Sequence, residues 1–413
     1  MQKNIGKITR CQICNTAQFE PIINLGHQPP CDLLPDKKGL NKEWAHYPLT
    51  VVRCTQCGLV QLDFIPPPQV VFHKEYPYRT GITQMLVDNF TKLADETTRK
   101  LRLKKNSLVI DIGSNDGTAL QQFKNNGMRV LGIEPTNIAL LAQKNNIPTI
   151  QGFFSEEIAK KIVKKHGTAS LVTATNVFAH INNLNSFMNG VNALLAPGGV
   201  FISESQYLLD TIEKVQYDTM YHEHLRFYSL KPLKLLFKNF GFILTDAQRI
   251  ASSGGSIQVF AIKGKNLKAT KRLAQLIKKE EEAGLYKGAT YVDFKNRVEQ
   301  SRLNLMKLLH DLKHAGKKVT GIGSPGRSSL ILNYCGIDSF LVPYLAEQST
   351  SLKLGLYSPG THIPIVDEKK LFEEQPDYAL LFSWHISDTL IKKLRARGLK
   401  SRFIVPLPDV KII

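Results

Sequence analysis

Short apolar runs alternate with stretches of helical spacing along most of the chain. The runs at Leu108–Ile110, Arg129–Ile133, Thr149–Gly152, Ala169–Ala174 and Val200–Glu204 predict buried strands. Helical spacing predicts a helix from Ile82 to about Arg102, then helices over Thr118–Asn126, Asn137–Asn145, from Ser155, and over Leu184–Leu195. The last of these stops at Pro197-Gly198-Gly199. Such alternation predicts a parallel sheet covered on both faces. Ile257–Ile262 predicts a final strand running antiparallel.

The flanks read differently. Residues 1–70 are rich in turns and proline, with strand-like pieces at Phe19–Leu25, Tyr47–Cys54 and Gly58–Asp63. That is too little apolar material for a firm core, so a structural metal would help it. Pro66-Pro67-Pro68 closes it as a stiff spacer. Residues 266–315 read as a polar helical stretch interrupted near Gly284–Gly288. A second α/β unit follows, with strands at Lys318–Ile322, Phe340–Leu345 and Tyr378–Phe382 and a helix reaching about Tyr334.

Composition narrows the class. The 413 residues are 43% hydrophobic and 22% charged, as in soluble globular proteins. No apolar run approaches the roughly 18 residues of a membrane span, and the start lacks the apolar stretch of a secretory signal. A cytoplasmic protein with no membrane partner is expected. The formal charge of +19 leans towards the C-terminal third without forming a block. It reads as solvated surface or as attraction for an anionic ligand. No helix-turn-helix, RRM or KH signature accompanies it, so nucleic acid is not expected as a partner.

Four of the six cysteines form two matched pairs, Cys11-x-x-Cys14 and Cys54-x-x-Cys57. Each CxxC puts two thiolates on one tight turn, and two turns complete a tetrahedral Zn²⁺ site. A redox CxxC is the alternative, but such motifs seldom come in twos within one small domain. Four thiolates leave no open position, so the zinc would be structural. Cys31 and Cys335 read as buried small apolar residues.

The first strand of the α/β region runs into Asp111-Ile112-Gly113-Ser114-Asn115-Asp116-Gly117, and the second ends at Glu134-Pro135. A glycine-rich turn lets a ligand approach the backbone, and an acid at the second strand end can accept from ribose hydroxyls. GxGxxG is absent, and the acidic loop suits a nucleoside cofactor without phosphates. S-adenosylmethionine is such a cofactor. The candidate cofactor residues are Asp111, Gly113, Ser114, Asn115, Asp116, Gly117 and Glu134. A dinucleotide, or a fold relic without a cofactor, is the alternative. Phe153, with Phe154, reads equally as an adenine contact or as core.

Tyr221-His222-Glu223-His224 gathers two imidazoles, a carboxyl and a phenol. The spacing excludes HExxH metal binding, and the density favours proton transfer over a local hydrogen-bonding role. His180 follows the predicted strand Ala169–Ala174 and is a candidate for catalysis or substrate contact, with a structural role as the alternative. Tyr76 and Tyr78 are candidate lid residues or simple packing. Gly321-Ile322-Gly323-Ser324-Pro325-Gly326-Arg327-Ser328 is a strand–loop–helix junction where backbone N–H groups and Arg327 could cradle an anion. It lacks the GxxxxGK[ST] of an ATPase loop.

Taken together, the chain resembles the S-adenosylmethionine-dependent C-methyltransferases of nucleotide-linked 4-keto deoxysugars, the sugar 3-C-methyltransferases. The resemblance runs through the paired CxxC, Glu75-Tyr76-Pro77-Tyr78, Ile112–Gly117, Gly132-Ile133-Glu134-Pro135 and Asn176-Val177-Phe178-Ala179-His180. It continues through Tyr221–Leu225 with Tyr228-Ser229-Leu230, and Pro359-Gly360-Thr361-His362-Ile363-Pro364. Pro325, Ala346-Glu347-Gln348 and Trp384-His385 depart from the family pattern. The resemblance implies an α/β protein: a zinc-binding N-terminal domain (1–72), a Rossmann-like methyltransferase core (73–264) and a C-terminal Rossmann-like domain (265–413). It implies His224 as base, Glu223 orienting or tuning it, and Tyr221 and Tyr76 holding the substrate or its enolate oxygen. His180 is a second contact, and Tyr78, His222 and Arg327 are substrate residues. A monomer acting on a nucleotide-sugar is expected. Methylation of another carbon or oxygen of a different acceptor, or a non-catalytic zinc- and nucleotide-binding scaffold, remains open.

Overall fold

The computed structural model describes residues 5–72, 79–82, 84–264 and 268–413; Tyr76 and Tyr78 lie outside them. The central sheet has seven strands in the order Phe242–Ile250, Ser256–Lys263, Leu195–Gln206, Ala169–Thr175, Leu108–Ile112, Arg129–Glu134, Thr149–Gln151. The strand order reverses beside Leu108–Ile112, which has Ala169–Thr175 on one side and Arg129–Glu134 on the other, both parallel. A crevice opens at the carboxyl ends of strands at such a point. Leu108–Ile112 is buried throughout, as its unbroken apolar run requires.

Helices Thr118–Asn125, Ala139–Lys144, Glu156–His166 and Leu184–Leu194 fall where helical spacing placed them, with ends shifted by up to two residues. Two caps fix entry points: Ser155 Oγ accepts from Ile158 N–H, and Asn183 Oδ1 accepts from Ser186 N–H. Pro197-Gly198-Gly199 stops the helix but also belongs to the strand. Leu195 already pairs with Ala169, and the Pro-Gly-Gly turn is a bulge before pairing resumes at Val200. One strand, Ser256–Lys263, is antiparallel here, running against both Leu195–Gln206 and the edge strand Phe242–Ile250.

The N-terminal lobe is a four-stranded sheet ordered Phe19–Gln28, Tyr47–Cys54, Val60–Leu62, Arg226–Phe227. Its fourth strand comes from the central part of the chain. The C-terminal sheet is ordered Ile365–Asp367, Leu345–Glu347, Val319–Ile322, Tyr378–Leu381, Arg402–Val405, Lys411–Ile412, with only the last antiparallel. Phe340–Tyr344 is loop rather than strand. The polar stretch forms two helices, Lys271–Glu282 and Gly288–His314. Glu280 is fully buried on the first. It accepts from Tyr207 Oη at 2.8 Å and from the Leu230 N–H at 2.9 Å, tying this helix to the central part.

Candidate active site

A cavity of about 1300 Å³ runs from the carboxyl edge of the central sheet to the C-terminal lobe. At one end stand Asp111, Gly113, Ser114, Asn115, Glu134 and Phe153. Gly113 has φ +72°, and a Cβ there would meet Val177 at 2.4 Å, so only glycine makes this turn. Glu134 is held by three donors: Asn115 N–H at 3.0 Å, Thr136 N–H at 2.9 Å and Thr136 Oγ1 at 2.7 Å. The carboxylate thus stands at the strand end in a fixed orientation. Asp111 accepts from Thr173 Oγ1 at 2.6 Å, and burial with the nearby Glu134 charge pushes it up to about 7. Buried acids against an open cavity, beside a turn with exposed backbone, fit the amino and ribose groups of S-adenosylmethionine.

Two of the expected cofactor residues do other work. Asp116 accepts from Gly81 N–H at 2.8 Å and from Thr118 Oγ1 at 2.6 Å, so it ties residues 80–81 to the start of the next helix. Gly117, at φ +81°, packs against Ile147 and does not line the cavity. Phe153 is 48% exposed and lines the cavity, whereas the Phe154 ring packs edge-on against Phe187 at 5.4 Å.

Further along lie Tyr221, His224 and His180, each only partly exposed and lining the cavity. The Tyr221 and His224 rings are 4.2 Å apart between centroids, and His180 and His224 are 5.0 Å apart. His224 Nδ1 donates to the Thr219 carbonyl at 2.6 Å, so Nε2 is left as the accepting nitrogen. Burial lowers this imidazole to about 4, with the Arg327 charge adding to the effect. Below His180, Phe178 stacks on Tyr228 at 5.0 Å and meets Phe187 and Phe201 at 5.3 and 5.5 Å. Each such pair contributes about 0.5–1.5 kcal/mol beyond its area. The turn bearing His180 therefore sits on a rigid base.

Two corrections concern the same tetrapeptide. His222 points away from the cavity: its Nε2 donates to the Pro48 carbonyl at 3.2 Å and its ring meets Tyr47 edge-on. It fastens the N-terminal lobe, which is a packing role. Glu223 also stands behind the cavity wall and does not touch His224, whose ring is oriented by Thr219. Glu223 is fully buried beside Cys31 and Asp32. Burial, then the Asp32 charge, pushes its carboxyl up to about 8, against the pull of Cys31 and Lys353. The same surroundings hold the Tyr221 phenol well above its usual range, so it stays an O–H donor.

The far wall comes from the other lobes. Lys353 Nζ is 2.7 Å from Asp32 Oδ1 and donates to the Ser324 carbonyl at 2.9 Å. Cys31, Asp32 and Glu223 bring their donor atoms within 4.8 Å of one another, but the Lys353 ammonium already supplies the cation there. Arg327 lines the cavity with its guanidinium spoken for on three sides. Its Nε is 3.5 Å from Asp218 Oδ2, Nη1 donates to His385 Nδ1 at 2.9 Å, and Nη2 to Gln216 Oε1 at 3.5 Å. Asp32, Lys353 and Asp218 were not singled out from sequence, because only folding brings them together; His385 stood out only as part of a departure from the family pattern.

Outside the cavity, the four sulfurs of Cys11, Cys14, Cys54 and Cys57 lie within 4.8 Å of one another. Cys11–Cys57 and Cys14–Cys54 are each 3.5 Å apart. Four sulfurs at about 2.3 Å from a Zn²⁺ ion stand about 3.8 Å apart in a tetrahedron. The cluster fits the ion, and four thiolates fill a tetrahedral zinc without an open coordination position for chemistry.

A Rossmann-like sheet with a nucleoside-shaped carboxyl edge, a four-thiolate lobe and a second α/β unit defines a methyltransferase of three parts. Family models agree with each: a zinc binding domain over residues 11–72, a methyltransferase domain over 85–247 and a C-methyltransferase C-terminal domain over 251–408. The chain is 32% identical to the C-methyltransferase NovU of Streptomyces niveus over 419 aligned positions, covering 100% of this chain and 99% of that one. The chain belongs to this C-methyltransferase family and is an S-adenosylmethionine-dependent C-methyltransferase. It is also 26% identical over 132 residues to an uncharacterized methyltransferase of Alkaliphilus oremlandii, which covers 29% of this chain and 57% of that protein. Among solved structures, magnesium protoporphyrin IX methyltransferase (ChlM) from Synechocystis PCC 6803 matches 43% of this chain and 83% of its own, at 14% identity and a TM-score of 0.33.

Proposed function

We propose that the enzyme methylates carbon 3 of a nucleotide-linked 4-keto deoxysugar, as a step of deoxysugar biosynthesis in the cytoplasm, acting as a monomer. The observation that carries this reading is His224: a neutral imidazole facing the cavity, its Nδ1 committed to the Thr219 carbonyl and its Nε2 without a hydrogen-bond partner among the described residues.

The chemistry follows from the acceptor. A ketone at carbon 4 acidifies the C–H bond at carbon 3. His224 Nε2 accepts that proton, and the electron pair moves towards the ketone oxygen as an enolate. Tyr221, kept protonated, donates its O–H to the developing oxyanion, a contribution worth about 2.7–4 kcal/mol in comparable sites. Tyr76 is assigned the same task by the family resemblance. Bound between Asp111, Asn115, Glu134 and Phe153, S-adenosylmethionine supplies an electrophilic methyl group. His180 confines the sugar beside His224, and Arg327 faces its nucleotide portion; Tyr78 keeps the substrate role that the family resemblance implies. Arg327 holds its place through Asp218 and His385, so the cation is fixed before substrate arrives. Burial keeps Tyr221 protonated, and Glu223 stands behind the wall beside Cys31 and Asp32.

The test is incubation with isotopically labelled S-adenosylmethionine and a panel of 4-keto dTDP- and GDP-sugars. Mass spectrometry and NMR of the product should place the label on carbon 3. A label on oxygen or on another carbon, or silence across the panel while the protein binds S-adenosylmethionine, overturns the reading.

A further inference from the structure

The strand that follows His224 belongs to the zinc lobe's sheet. Arg226 pairs with Gln61 and Phe227 with Val60. The Leu225 carbonyl accepts from Leu62 N–H at 3.0 Å, and its N–H donates to the Ala179 carbonyl at 3.0 Å, one residue before His180. Paired residues in a sheet project to the same face. On that face the Gln61 Oε1 accepts the N–H of Gln12, inside the first CxxC turn, at 3.1 Å.

Arg226 is the other occupant. It is fully buried, and among the described residues it has no carboxylate partner. Its Nη1 donates to the Ile181 carbonyl at 2.6 Å and its Nη2 to the Asn182 carbonyl at 3.4 Å. A buried cation needs a compensating charge. Burial works against the charged guanidinium, and the groups that favour it are Tyr228 first and the Cys11 sulfur after it.

We propose that Arg226 is a positioning residue that couples the zinc centre to the His180–His224 pair: on one side it pairs in the sheet with Gln61, whose side-chain oxygen accepts from the first CxxC turn, and on the other it clamps the chain after His180. The zinc lobe is then part of the catalytic apparatus and not only a folding aid. The consequence for turnover rests on the proposed role of His224; the coupling itself does not.

The experiment is hydrogen exchange of the peptide spanning residues 176–186 in the full-length protein, with zinc content measured in parallel. Stripping zinc from the wild type should speed exchange there by about tenfold or more. R226M should show the faster exchange with one zinc still bound, and stripping zinc from it should add less than about twofold. R226K should fall between. In turnover, R226M should lower kcat while leaving the KM for S-adenosylmethionine within about twofold. Wild-type exchange in R226M, or a zinc-stripping response as large as in wild type, overturns the coupling. If R226M does not fold, R226K and R226Q are read by the same comparison. Exchange coupled as predicted but kcat unchanged would instead contradict the role given to the histidine pair.

Discussion

The carbonyl of Thr219 holds Nδ1 of His224 at 2.6 Å and thereby fixes which ring nitrogen faces the cavity. The contact spans five residues of one tight loop, so this imidazole is oriented by its own backbone, and as the proposed base it needs no carboxylate partner. His224→Asn keeps a similar shape but has no basic nitrogen. It should reduce kcat by about 10²–10⁴-fold, with S-adenosylmethionine affinity by calorimetry unchanged. Wild-type turnover in this variant would exclude the residue as base.

The pH profile carries the second prediction. Burial holds His224 at about 4, below the ordinary imidazole value. The imidazole is therefore already neutral at pH 6, and if it is the base, as proposed, the acid limb of kcat/KM due to this group should fall below pH 5. A limb near 6.5 that disappears in H224N would show a solvent-like imidazole.

Glu223 yields a prediction about stability. Its folded value is raised to about 8, whereas an unfolded glutamate titrates near 4.5. Between those values the folded state holds the extra proton, so the contribution of this group to stability declines as pH rises through the interval and is lowest above pH 8. E223Q should melt higher than wild type at pH 8.5, and the gap should close by pH 5. An equal gap at both pH values would contradict the buried protonated carboxyl.

Gly113→Ala tests the cofactor turn. The added Cβ would meet Val177 at 2.4 Å in a left-handed backbone conformation. The cost should be about 1–3 kcal/mol, and S-adenosylmethionine affinity should fall together with the melting temperature. Unchanged affinity would mean that the turn is not where the cofactor sits.

Cys54→Ser removes one thiolate from the cluster. Zinc content should fall below one per chain, and residues 5–72 should become the first site of limited proteolysis, because this small sheet draws its stability from the metal. Full zinc retention would contradict the four-thiolate site.

Much of this architecture is visible in the chain itself. Val109-Ile110-Asp111 announces a buried strand and its loop, and the paired CxxC turns announce their metal. What stayed hidden has physical causes. Phe242–Ile250 carries Asp246 and Arg249, which serve Arg272 and Asp210 across the edge, so its polar residues masked a strand. The bulge at Pro197–Gly199 looked like a simple break because the pairing of Leu195 with Ala169 just before it is remote in sequence. Asp32 and Lys353 meet across 321 residues of sequence, and no local pattern encodes such a pair. His222 shares a motif with His224 yet faces the opposite way, since neighbouring residues in an extended segment alternate sides only when the backbone keeps a strand's geometry, and this one turns.

The central claim, that His224 removes a proton from a sugar carbon beside a ketone, is most directly measured by deuterium wash-in. The enzyme is incubated in D₂O with a 4-keto nucleotide-sugar and S-adenosylhomocysteine, so that deprotonation proceeds without methylation. Wild type should place deuterium at carbon 3, seen by NMR, and H224N should not. Exchange that survives in H224N, or that occurs at a different carbon, would contradict the account.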